Sequence, residues 1–278
     1  MPQHQTIIIT GASDGIGAAA ARQLAAEGTT LVLVGRSPAK TAAVAREVGA
    51  DHFLADFTDL AQVRELADQL RAGYPRIDVL ANNAGGIMGE RVVTRDGFEK
   101  TFQVNHLAPF LLTTLLLPTL TASKAKVIQT ASVAAKRFGR FDIDDLQNEK
   151  NYEPQVAYGN GKLANILFTR ELHRRYAAQG ISAVSFHPGV VRSGFASDTT
   201  HLMRFAYHSP LKYLITISPE RSARELVRLV RGTPGSTWQS GEYYERRKPA
   251  ASSAASRDMD LARQLWDRSA QLLSITTP

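Results

Sequence analysis

Short β-branched runs alternate with longer helical patterns along nearly the whole chain, and this alternation constrains the fold more than any other feature. Thr6 to Thr10 (TIIIT) reads as a first strand, and Gly15 to Glu27 as the helix after it. Thr30 to Val34, His52 to Ala55 and Ile77 to Ala81 read as the next three strands, with helices at Ala39 to Val48 and Leu60 to Arg71 between them. A long helix is predicted over Gly97 to Leu117, then a strand at Lys126 to Ala131, a helix at Gln155 to Gln179 and a strand at Ser182 to Phe186. Ser222 to Arg231 (helix), Glu242 to Glu245 (strand) and Asp258 to Leu273 (amphipathic helix) complete the series. Strands separated by helices are βαβ units, and strands that are apolar throughout belong to a sheet covered on both faces. The expectation is an α/β fold with a doubly wound parallel sheet of about seven strands and ligand at the strands' carboxyl ends.

With 278 residues, 44% of them hydrophobic, the chain can fill one large core. No Pro/Gly/Ser-rich linker divides it, so residues 1–278 are expected to form one domain. Pro249 to Ser256 sets off only a C-terminal appendage, residues 249–278, that carries the terminal helix. The start has no basic region leading into a long apolar stretch, so no signal peptide is expected. Leu107 to Leu120 is shorter than a bilayer span and is interrupted by Pro109 and Pro118. No membrane span and a cytoplasmic location are therefore expected. The chain has no cysteine, which excludes disulfides, thiolate metal sites and a cysteine nucleophile. His201 and His208 stand too far apart to suggest a metal pair, so no metal is expected. The net charge of +7 is scattered along the chain and reads as solvated surface, with no nucleic-acid partner.

Directly after the first strand comes Thr10-Gly11-Ala12-Ser13-Asp14-Gly15-Ile16-Gly17. A glycine loop between strand and helix is what a dinucleotide site of Rossmann type requires. Gly11 permits the tight turn, Gly15 and Gly17 allow close backbone approach, and the helix N-terminus offers free N–H groups to phosphates. Where an NAD site places an acid after the second strand, this chain has Gly35-Arg36-Ser37. A guanidinium suits a 2′-phosphate, so Arg36 favours NADP (NADPH) over NAD.

Tyr158 and Lys162 stand four residues apart at the start of a long helix, and so on one face of it. A phenol is a poor acid or base at neutral pH, and a neighbouring ammonium that stabilises its phenolate corrects this. TGxxxGxG, then Asn82-Asn83-Ala84-Gly85, Asn105, Ser132 and the YxxxK pair, in that order, resemble the short-chain dehydrogenase/reductase family. Pro188-Gly189 extends the match. The resemblance implies Tyr158 as general acid/base, Lys162 as its activator and a ligand of the nicotinamide ribose, Ser132 holding the substrate oxygen, and Asn105 binding a water of the proton relay. It also implies cofactor contacts at Ser13, Asp14, Ile16, Asp56, Phe57, Asn83, Ala84, Gly85, Pro188, Gly189, Val191 and Ser193. Asp14 and Ala18 depart from NADP-using relatives, which often carry a basic residue there.

The long interval from Val133 to Ala157, Gly241-Glu242-Tyr243-Tyr244 and the terminal helix resemble the retinol-dehydrogenase-like branch, which includes the WW-domain-containing oxidoreductases. Residues 190–218 fall where that family carries its substrate lid, and Phe195, Leu202, Phe205, Tyr207 and Tyr213 make the segment apolar and aromatic. This implies a lipophilic small-molecule carbonyl or alcohol substrate, with homo-oligomerisation open. Gly161 replaces the serine relatives have in YxxSK. With Gly159 it is expected to make room near the nicotinamide or a bulky substrate. The rival reading is a non-catalytic NAD(P)-binding regulatory protein of the same fold, against which the full set of Asn105, Ser132, Tyr158 and Lys162 argues.

Overall fold

The computed structural model describes residues 4–25, 28–189 and 217–276. Its strands are β1 (Gln5–Thr10), β2 (Thr29–Gly35), β3 (Asp51–Leu54), β4 (Val79–Asn82), β5 (Lys126–Thr130), β6 (Ser182–Phe186), β7 (Tyr243–Glu245) and β8 (Lys248–Pro249). They form one sheet in the order β3-β2-β1-β4-β5-β6-β7-β8. Every neighbouring pair is parallel except β7 with β8. The order reverses between β1 and β4, and the crevice at their carboxyl ends is where a doubly wound sheet binds ligand.

Alternation along β1 sends its side chains into two cores. Ile8 joins Val32, Leu80 and Val127 in one, while Ile7 and Ile9 join Leu31, Leu33 and Ile128 in the other. The second core is closed by α1 (Gly15–Leu24), α2 (Pro38–Val48) and α7 (Pro219–Arg231). The first is closed by α3 (Leu60–Gly73), α4 (Lys100–Ala122), α6 (Pro154–Tyr176) and α8 (Met259–Leu272). A short α5 (Ala134–Arg137) follows β5. Helix α8 is part of the same core: Leu265 and Trp266 are each only 1% exposed. Ser269 Oγ meets His106 Nε2 at 2.8 Å. Burial holds that imidazole neutral, with its pKa lowered to about 3.

Three features differ from expectation, each for a local reason. The sheet has an eighth strand, because Arg246 and Arg247 both adopt positive φ (47° and 67°) and turn the chain back on β7. Asn-Gly is the usual signal for such a turn, and Arg-Arg conceals it. Helix α4 starts at Lys100, after Gly97 (φ 83°), because Glu99 caps it by accepting from the Thr101 and Phe102 amides. It then runs through Pro118 to Ala122, long and apolar enough by composition to cross a membrane, yet mostly buried inside the protein. Helix α7 begins three residues early, at Pro219, behind the capping Ser218 hydroxyl.

Candidate active site

A cavity of about 750 Å³ opens at the carboxyl ends of β1, β2, β4 and β5, lined by the glycine loop, Arg36, Asp56, Phe57, Asn83 to Gly85, Ser132, Tyr158, Lys162, Pro188 and Gly189. It unites most residues singled out in the sequence. Val191 and Ser193, like the lid segment up to residue 216, lie outside the described residues. Among the described residues no cluster of three His, Asp or Glu side chains could hold a metal ion.

The cofactor end is shaped by missing side chains. Gly11 has φ +66°, and a Cβ there would lie 2.8 Å from the Ala84 Cα. A Cβ on Gly17 would lie 2.3 Å from the Gly11 carbonyl oxygen, so helix and loop touch backbone to backbone. Thr10 fixes this arrangement: its Oγ1 accepts from the Asn83 and Ala84 amides, both at 3.0 Å, and donates to the Ala81 carbonyl. Asn83 Nδ2 donates to the Thr10 carbonyl at 3.0 Å, while its Oδ1 accepts from Thr130 Oγ1 at 3.2 Å. Asn83 thus ties β1 to β5 across the switch point. A loop of bare backbone at the start of α1 fits the phosphates of a dinucleotide, and Arg36 follows β2 at the cavity edge. Asp14 caps α1 through the Gly15 amide and pairs with Lys40 at 3.3 Å. Lys40 also lines the cavity. Its position in the first turn of α2 carries no motif.

The catalytic end is built from buried polar groups. Lys162 is 1% exposed, and its Nζ lies 5.6 Å from the centre of the Tyr158 ring and donates to the Thr130 carbonyl at 3.0 Å. Burial lowers its pKa to about 7, so its ammonium titrates near neutrality. Asn105 sits in a π-helical turn, Gln103–Leu107, inside α4. Its Nδ2 donates to the Gly86 and Thr101 carbonyls, and its Oδ1 accepts from the Gly86 amide. Pro109 has no N–H to return to the Asn105 carbonyl four residues back, which frees that oxygen from the α-helical ladder. A Cβ on Gly85 would lie 2.6 Å from Asn105 Oδ1 and 3.0 Å from Lys162 Nζ. Glycine at position 85 therefore lets this strand end rest on both residues. Ser132 Oγ accepts from the Ala134 amide at 3.1 Å, so its own hydroxyl hydrogen remains available to donate.

One expectation is overturned: neither Gly159 nor Gly161 faces the cavity. A Cβ on Gly161 would lie 3.2 Å from Asn105 Cβ, against α4. One on Gly159 would lie 2.8 Å from the Gly139 amide, in the long segment after β5. Both glycines serve close packing of α6. Asn160 between them binds the same segment, accepting from the Arg140 amide at 2.8 Å and donating to Asn148 Oδ1 at 2.9 Å. That packing brings Phe138 onto a small cluster of Ile87, Ala134 and Tyr158 at the cavity wall. No local sequence pattern marks Phe138, since the contact depends on how the long segment folds back.

Comparison with known proteins agrees with this architecture. Residues 5–203 match the family model "short chain dehydrogenase". The chain is 41% identical over 279 residues to a Streptomyces sp. (strain C5) protein named "Putative daunorubicin C-13 ketoreductase DnrU", covering 98% of this chain and 93% of that one. It is 36% identical over 285 residues to retinol dehydrogenase 13 of Homo sapiens, covering 99% of this chain and 86% of the relative. An uncharacterized protein of known structure from Mycobacterium Paratuberculosis superposes with a TM-score of 0.77 at 32% identity, covering 99% of this chain and 96% of that one.

Proposed function

This chain belongs to the short-chain dehydrogenase family, and we propose that it works there as an NADP(H)-preferring oxidoreductase interconverting a carbonyl and an alcohol on a lipophilic small molecule. The observation that carries the reading is a single cavity with Arg36 and the glycine loop at one end and Tyr158 above buried Lys162 at the other. Arg36 and the α1 N-terminus would hold the phosphates, and Asp56 and Asn83 to Gly85 the adenosine side. Bound there, the nicotinamide supplies or accepts the hydride. In reduction, Tyr158 gives its phenolic proton to the carbonyl oxygen, which Ser132 holds through its free O–H. Lys162 stabilises the resulting phenolate, and a water on the Asn105 carbonyl restores its proton. In oxidation the same groups run in reverse. The reading includes a cytoplasmic location, since the long apolar helix α4 is taken up by the core.

The test is NADPH oxidation with aldehydes and ketones running from compact to long and apolar, alongside NADH. Turnover with NADPH, rising with substrate chain length and lost in Tyr158→Phe while cofactor fluorescence still reports binding, is the expected result. Full activity in Tyr158→Phe would refute the mechanism.

A further inference from the structure

Among the described residues, four strongly basic side chains line the cavity, and two of them are engaged: Lys40 with Asp14, and Lys162 with the Thr130 carbonyl. The other two are Arg36 and Arg137. Among the described residues, no side chain or backbone group forms a hydrogen bond or ion pair with either guanidinium. They stand at opposite ends, because Arg36 follows β2 and Arg137 follows β5, with β1 and β4 between. At the usual spacing between strands this is about 14 Å. Arg36 has its role at the cofactor end. Arg137 belongs to the catalytic end, where its guanidinium carbon lies 5.4 Å from the centre of the Phe138 ring. Phe138 in turn packs on the cluster that contains Tyr158 and Ile87. One wall therefore runs from the phenol, over an apolar ring, to a cation that has no hydrogen-bond or ion-pair partner among the described residues.

We infer that the substrate is amphipathic: a carbonyl compound with an apolar body along Phe138 and Ile87 and a carboxylate received by Arg137. Stacking on Phe138 orients the planar guanidinium before the ligand arrives, which lowers the entropy lost in forming a two-pronged bond to a carboxylate. The net charge of +7 favours the approach of anionic over neutral molecules. The inference rests on the carbonyl–alcohol reading of the site and extends it.

The experiment compares a medium-chain keto acid with its methyl ester, measuring kcat and KM with NADPH for the wild type, Arg137→Ala and Arg137→Lys. The wild type is expected to prefer the acid by roughly fivefold in kcat/KM, mainly through KM, as for a partly exposed charge-assisted bond. Arg137→Ala should abolish that preference, Arg137→Lys should keep part of it, and added salt should narrow it in the wild type. Equal use of acid and ester by the wild type, or a preference that survives Arg137→Ala, would overturn the inference and leave the oxidoreductase reading standing. No turnover of acid, ester or any neutral carbonyl would overturn both.

Discussion

The two ends of the cavity are built by opposite means. At the cofactor end the working surface is backbone, and the essential residues are those that leave space: Gly11 against Ala84 and Gly17 against the Gly11 carbonyl. At the catalytic end the working surface is side chain, and its parts are polar groups taken out of water: Lys162 at 1% exposure and Asn105 at 0%. The first kind of site depends on backbone contact and fails by collision. The second holds charge where charge is costly, so it links activity to stability and to pH.

Lys162→Met should break the catalytic end with the largest effect. Turnover is expected to fall by roughly a hundredfold to ten-thousandfold, the usual contribution of acid–base machinery. Stability should move the other way in the cofactor-free protein. The unfolded lysine has its ordinary pKa near 10.5, whereas burial lowers the folded value to about 7. Between those values the unfolded chain binds more protons, so this group's contribution to stability rises with pH; at and below neutrality the buried ammonium costs most. Lys162→Met should therefore melt higher than the wild type at pH 6, with the gap closing toward pH 10. The Thr130 carbonyl keeps a donor in Asn165 Nδ2 at 3.4 Å. A variant that melts lower at every pH would show that Lys162 stabilises the fold.

Gly17→Ala attacks the other end. A methyl group 2.3 Å from a backbone oxygen cannot be absorbed by a side-chain rotation, so α1 must move away from the loop. We expect a stability loss of about 1–3 kcal/mol in denaturant titration, as for overpacking, with weaker NADPH binding by fluorescence. Its effect should show no pH dependence, in contrast to Lys162→Met.

The contrast also explains what was legible in the sequence. A backbone-built site leaves a local signature, because glycines must sit at fixed offsets between a strand and a helix. The loop could be read from it, as the parallel sheet could from the alternation of strands and helices, whereas the β1–β4 switch point needed the strand order. Tyr158 and Lys162 were legible for the same reason, since four residues on one helix is a local spacing. What was hidden depends on distant partners. Lys40 reaches the cavity through the packing of α2, and Phe138 reaches Tyr158 because Asn160 pins the segment after β5. The partner of Lys162 is a main-chain carbonyl, for which no residue type is required.

Cofactor choice is a smaller effect that sharpens the description of the first end. Arg36→Ala should raise the KM for NADPH by roughly tenfold or more, the worth of a charge-assisted bond, and leave that for NADH nearly unmoved. Lys40→Ala should raise it only about twofold to fivefold, because Lys40 is well exposed and already shared with Asp14. Equal changes for both cofactors would show that these cations act on something common to the two dinucleotides.

Gly161→Ser should have the smallest effect, and it tests whether the catalytic end obeys the rule of the first. A serine Cβ would stand 3.2 Å from Asn105 Cβ, so α4 and α6 need to part by only a few tenths of an ångström. Serine is also the better helix former by about 0.5 kcal/mol, which offsets part of that crowding. The melting temperature should shift by no more than a few degrees. Because position 161 faces Asn105 and not the cavity, any loss of turnover should scale every substrate by the same factor, through the relay residue it nudges. A change in the ranking of compact against bulky substrates would mean that the missing side chain shapes the substrate space after all. In that case the catalytic end, like the cofactor end, would be defined partly by what is left out.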